Sequence, residues 1–153
     1  MGNRVAAQRQ AKKDGSPLRI LLIEDSTADA RLTWEALKES RVPYELSVAR
    51  DGVQGIEKLR EQVESGQRPD LVLLDWNLPR MDGREVLRAV KSDPELRRIP
   101  VVVLTTSSAD SDIDRAYDLQ ANCYITKPAD VLRFFEIIND VEVFWTQTAT
   151  LPA

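Results

Sequence analysis

The sequence predicts a doubly wound α/β domain: five parallel β-strands with helices on both faces of the sheet. Three observations carry this. Short apolar runs alternate with amphipathic stretches from Leu18 onwards. Three of the runs are almost continuously apolar, as strands covered on both faces should be. The 153-residue length and 42% apolar content suit one globular domain with a real core.

Taken in order, Leu18–Ile23 is the first such strand, and Ser26 is placed to cap a helix over 27–39 with Asp29 three positions on. Leu32, Ala36 and Leu37 form that helix's inward stripe. Tyr44–Ala49 is a weaker strand, suited to a sheet edge. After Asp51-Gly52, residues 52–64 place Val53, Ile56, Leu59 and Val63 at helical spacing. Leu71–Leu74 is the third strand, and 84–91 the helix that follows Met81-Asp82-Gly83. Asp93-Pro94 starts a further turn. Val101–Leu104 is the fourth strand, and 111–119 brings Ile113, Ala116 and Tyr117 to one side of a helix. Asn122–Thr126 is a weaker fifth strand, followed by a last helix over about 130–147. Repeated βα units imply a parallel sheet. Residues 1–16 read as a flexible polar tail, 17–147 as the domain and 148–153 as a C-terminal tail.

The bulk chemistry narrows the function. A formal charge of −4 gives no basic footprint for nucleic acid. No apolar run approaches the ~20 residues of a membrane span, and the N-terminal segment has no apolar core of a signal peptide. The expectation is a cytoplasmic protein with neither nucleic acid nor membrane as a partner. A single cysteine, Cys123, excludes an internal disulfide and a cysteine-based zinc site; a small buried thiol is the simple reading. The absence of histidine removes Ser-His-Asp and Cys-His catalysis.

What remains is carboxylates, hydroxyls and lysine, and these stand where parallel sheets bind ligands, beyond the carboxyl ends of the strands. The first strand runs into Glu24-Asp25, the third into Asp75 and the fourth into Thr105-Thr106, and the fifth is followed by Lys127-Pro128. Two carboxylates about 4 Å apart repel by roughly 4 kcal/mol at an effective dielectric near 20. Three gathered acids therefore need counter-charge, from Lys127 and from a hard divalent cation such as Mg²⁺. Such a set suits phosphoryl transfer, which depends on positioning and charge neutralisation, with a carboxylate as nucleophile.

The motifs ILLIEDS, LVLLDWNLPRMDG, VVVLTTS and YITKP, in this order and spacing, resemble the receiver domain of two-component response regulators over about residues 18–140. The resemblance implies a flavodoxin-like (βα)5 fold with strand order 2-1-3-4-5. It implies Asp75 as phosphoacceptor, and Mg²⁺ held by Glu24, Asp25, Asp75 and the backbone carbonyl of Asn77. Thr105, with Thr106 beside it, is then the hydroxyl that turns to the phosphoryl group, Lys127 its ammonium partner, Tyr124 the aromatic switch, and Pro128 a cis-proline. A narrower resemblance, to regulators paired with phytochrome kinases, rests on VVVLTTSSADSDIDRAYDLQANCYITKP and VEVFWTQTATLPA; it implies a phytochrome-type histidine kinase as phosphodonor.

Two departures stand out. Gln120-Ala121 occupies the place of a common Gly-Ala pair, and bulky Trp76 could crowd access to Asp75. The last helix also carries more apolar residues than one stripe needs. Phe134, Ile137, Val141, Phe144 and Trp145 are therefore the expected homodimer interface, together with the Trp145–Leu151 tail; the competing expectation is a tail folded over its own domain. The function expected is a phosphoaccepting signalling module, not an enzyme in the usual sense, though it takes part in its own phosphorylation. A phosphorylation-independent pseudo-receiver is the alternative, opposed by the intact acids, hydroxyl and lysine. A flavodoxin-like cofactor site is opposed by the acidic Glu24–Asp29 loop, which would repel a phosphate.

Overall fold

A computed structural model describes residues 15–40 and 42–153; most of the N-terminal tail reading (1–16) lies outside the described residues. The elements are β1 (Leu18–Ile23), α1 (Thr27–Glu39), β2 (Tyr44–Ala49), α2 (Gly52–Glu64), β3 (Leu71–Leu74), α3 (Gly83–Ser92), β4 (Val101–Thr105), α4 (Asp110–Asp118), β5 (Cys123–Thr126) and α5 (Val131–Val143), followed by a π-turn over Phe144–Thr148. All strand pairs are parallel and the order is β2-β1-β3-β4-β5. The two weakly apolar strands are the two edges, as their sequences predict.

The alternation of side chains along each strand divides the core in two. Leu21, Ile23, Val72, Leu74, Val101 and Val103 face α2, α3 and α4. Leu18, Ile20, Leu22, Leu71, Leu73, Val102 and Leu104 face α1 and α5. Ser26, Asp51, Asp82 and Asp130 cap α1, α2, α3 and α5 by accepting an amide three residues on. Each cap fixes where a loop ends beside the strand tips.

Three local expectations are corrected. Tyr117 does not join an apolar stripe: it is half-exposed, and Ala116 is the only buried residue of α4. Its hydroxyl instead accepts the Tyr124 amide, 3.2 Å away. Phe134 is a core residue at 4% exposure, because α5 sets Phe134 and Ile138 against the sheet. It therefore offers no surface to a second chain. The tail after α5 turns back on its own domain: Leu151 packs against the α1/α5 core, and Arg68 donates to the carbonyl oxygens of Pro152 (3.1 Å) and Ala153 (2.7 Å).

Gln120, where glycine is common, adopts a left-handed conformation at φ 71°. Its amide donates to Tyr117 and that of Ala121 to Ala116, the paired bonds of a Schellman stop to α4. Glycine would suit that backbone, but the turn forms without it.

Candidate functional site

The parallel sheet brings the polar strand ends to one edge. Glu24, Asp25 and Asp75 place carboxylate oxygens within 4.8 Å of one another. Backbone bonds hold the acids together: the Asp75 amide donates to Ile23 and the Glu24 amide to Ala49. Glu24 and Asp75 are buried, whereas Asp25 faces water.

Lys127 closes the site from β5, its amide bonded to the Thr105 carbonyl at 2.7 Å. Its ammonium lies 2.6 Å from Glu24 Oε2, 2.9 Å from Asp29 Oδ2 and 3.6 Å from Asp75 Oδ2. Burial pushes the Glu24 carboxyl up to about 7, with the Lys127 ammonium pulling it back down and the Asp75 charge adding to the rise. Burial acts on Lys127 in the opposite sense, but its bonds to Glu24 and Asp29 outweigh this and leave its pKa raised. One ammonium thus faces a surplus of acids. The oxygen-only donor set fits a hard divalent cation and leaves nothing for a soft one.

Thr105 ends β4 fully buried, and its hydroxyl has no hydrogen-bond partner among the described residues. Such a group carries a cost unless a ligand satisfies it. Thr106 and Asn77 are exposed at the rim, and the Asn77 amide reaches Asp75 Oδ1 at 3.4 Å. Tyr124 is tucked against the α2–α4 side of the core, with its hydroxyl donating to the Ser107 carbonyl at 2.7 Å.

Gly83, at the start of α3, makes the acceptor loop possible. A Cβ there would lie 2.7 Å from the Asp75 carbonyl oxygen and from Trp76 Cα. Only glycine lets the helix approach the backbone that carries Asp75 so closely.

Comparison with known proteins agrees with this geometry. The family model described as the response regulator receiver domain matches residues 20–139. The chain belongs to the response regulator receiver family. It is a phosphoacceptor module of two-component signalling, in a family that signals rather than catalyses and whose donors are histidine kinases. Response regulator Rcp1 of Synechocystis is 49% identical over 139 residues, 90% of this chain and 95% of that protein. A methanogenesis regulatory protein of Methanothrix harundinacea, FilR2, is 38% identical over 84% of each chain. Among solved structures, the phosphorylated cyanobacterial phytochrome response regulator RcpA matches at 51% identity and TM-score 0.85, covering 90% of this chain and all of that one. A Mn²⁺-bound form of Rcp1 matches at 49% identity and TM-score 0.81, over 90% of this chain and all of that one.

Two expectations at the site are corrected. There is no cis peptide bond among the described residues, so the bond before Pro128 is trans. Trans is the ordinary preference before proline, and Lys127 reaches the acids without the isomer. Trp76 does not overhang Asp75: it is fully buried against the α3/α4 side, with its indole nitrogen bonded to Asp112. The sequence reading also missed Asp29 as a partner of Lys127. It was visible only as a helix-start acid, and α1 and α5 must pack on one face of the sheet before it can reach the ammonium at the end of β5.

Proposed function

We propose that Asp75 accepts a phosphoryl group from the phosphohistidine of a partner kinase. A carboxylate oxygen of Asp75 attacks phosphorus, the phosphorus–nitrogen bond breaks, and the imidazole leaves with the bonding pair. Mg²⁺ is the cation we assign to Glu24, Asp25, Asp75 and the Asn77 carbonyl; when bound it neutralises the acids and the phosphoryl oxygens. Lys127 donates to a phosphoryl oxygen, giving up its 3.6 Å contact with Asp75 for the new, more charged partner. Thr105, with Thr106 beside it, offers its unpartnered hydroxyl to another. The observation that carries this reading is the convergence of three acids, one ammonium and one orphaned buried hydroxyl on a single strand edge.

Tyr124 follows Thr105 and so transmits the change to the α4–β5–α5 surface. Likeness to Rcp1, RcpA and a bacteriophytochrome response regulator, AtBRR (40% identical, TM-score 0.69), supports a phytochrome-type histidine kinase as donor. We place the protein in the cytoplasm, consistent with no helix of the described residues being long and apolar enough to cross a membrane. A homodimer is supported by the groove of about 520 Å³ between β5 and α5, where Cys123, Ile125, Ile137, Val141, Phe144 and Trp145 present apolar surface. Phe144, 47% exposed and edge-on to Trp145, is its most open member.

Acetyl phosphate and Mg²⁺ test the first claim: the chain should gain one phosphoryl mass, and Asp75→Asn should abolish the gain. No gain where another receiver is labelled would favour a phosphorylation-independent module. Sedimentation of Phe144→Asp tests the dimer, which an unchanged association state would exclude from this groove.

A further inference from the structure

Asp112 lies outside the acid cluster, yet its one carboxylate takes three side-chain partners from separate segments. Its Oδ1 accepts from the Trp76 indole at 3.2 Å and from the Arg84 guanidinium at 2.7 Å. Its Oδ2 accepts from the Ser107 hydroxyl at 2.5 Å. The Ser107 carbonyl in turn accepts from Tyr124. Trp76 directly follows Asp75, Arg84 opens α3 and stacks over the Trp76 ring at 5.3 Å, Ser107 sits in the β4–α4 loop, and Tyr124 belongs to β5.

A solvated acid in the first turn of a helix would be the ordinary reading of such a residue. The bonds argue otherwise. Both oxygens are used by side chains from other elements or the preceding loop, and the Asp112 side chain is only 17% exposed. The α4 N-cap, Ala109, offers no side-chain bond, and Ala116 is the helix's single buried residue. With one buried side chain anchoring α4, the Asp112 bonds tie its first turn to α3 and to the loop before it. That loop leaves β4 at Thr105, two residues before Ser107, and the Thr105 hydroxyl is unpartnered among the described residues.

We propose that Asp112 is a positioning residue for phosphoryl transfer, holding the β4–α4 loop in register with the residue beside Asp75 so that the Thr105 hydroxyl and Tyr124 are set before phosphate arrives. The proposal rests on Asp75 being the acceptor, but the loop geometry it predicts can be read without phosphate. Because Asp112 touches neither the cation site nor the phosphoryl group, its loss should change how often the loop is correctly placed, not how the cation binds.

The test uses the full chain, with Asp112→Ala and Trp76→Phe singly and together. Amide chemical shifts over 105–109, and a fluorotyrosine resonance at Tyr124, report loop position in the absence of phosphate. Acetyl phosphate with Mg²⁺ reports labelling. Asp112→Ala should shift the loop amides and the Tyr124 resonance, and slow labelling by about tenfold, the factor corresponding to the Ser107 bond, the one of its three charge-assisted bonds that reaches the loop. Mg²⁺ affinity should stay within twofold. Trp76→Phe, which removes the indole donor, should slow labelling less, and the double variant should be no slower than Asp112→Ala alone. Unshifted amides and an unmoved Tyr124 resonance would overturn the proposal whatever happens to labelling. So would a variant that melts earlier yet labels at the parent rate. If the parent itself is not labelled, the acceptor reading fails, and the resonances still decide the role of Asp112 in the loop.

Discussion

Replacing Asp75 by asparagine should stabilise the metal-free protein while destroying its function. Asp75 shares a 4.8 Å cluster with Glu24 and Asp25. At an effective dielectric near 20, like charges at that distance repel by about 3.5 kcal/mol. The ion pair with Lys127, at 3.6 Å, returns about 4.6 kcal/mol on the same scale. Asp25 is exposed, and water screens much of its share. The two acids together still roughly match or exceed the lysine, and a neutral amide is cheaper to bury than a carboxylate. The net gain from Asp75→Asn is on the order of 1–2 kcal/mol, or about 2–8 °C in melting temperature for a chain of this size.

Its pH dependence follows from Glu24, whose carboxyl is lifted from 4.5 to about 7 by burial. A raised acid contributes stability below its unfolded pKa and loses it as pH rises through the folded one. The metal-free parent should therefore weaken between about pH 4.5 and 7. Below that upper value Glu24 becomes neutral and its repulsion on Asp75 disappears. The advantage of Asp75→Asn should then shrink or reverse. Urea unfolding in chelator at about pH 6 and about pH 8 reads both effects, and saturating Mg²⁺ should restore the parent relative to the variant by mass action. If the variant proves less stable than the parent at the higher pH, or its advantage ignores pH, the charge argument for the site is wrong.

Gly83→Ala should cost about 1–3 kcal/mol and slow labelling, since the added Cβ meets the Asp75 carbonyl and Trp76 backbone at 2.7 Å; denaturant midpoints and acetyl phosphate labelling check both. Gln120→Gly should gain up to about 1 kcal/mol by relieving a left-handed residue, read as a higher melting temperature. Cys123, whose thiol burial pushes above its usual pKa, should react with a neutral disulfide reagent at least about tenfold more slowly in the folded chain than in denaturant. Equal rates would mean that the Cys123 environment neither shields the thiol nor holds it protonated.

Much of the architecture was legible because a buried parallel strand announces itself. Leu71–Leu74 and Val101–Val103 have no polar residue to turn outward, so helices must cover both faces. Glu24, Asp75 and Thr105 were legible for the same reason, being the first polar residues after apolar runs, and Lys127 stood out as the charge beyond the fifth strand. Less legible were side chains whose roles depend on a partner far along the chain. Trp76 reads as an obstruction beside Asp75 until α3 and α4 supply the pocket that removes it. Phe134 and Ile137 look alike in sequence, and only the rotation of α5 against the sheet sends one to the core and the other to the surface.

The sequence by itself determined five βα units and the order in which their polar ends appear, because strand and helix periodicity and capping are local. The tertiary structure alone decided which of those ends touch. Strand order places β5 next to β4 and so carries Lys127 to Glu24, Asp29 and Asp75. It also gave Asp112 its three partners and turned the tail onto Arg68. Distances between residues remote in the chain are fixed by packing, and no local pattern encodes them.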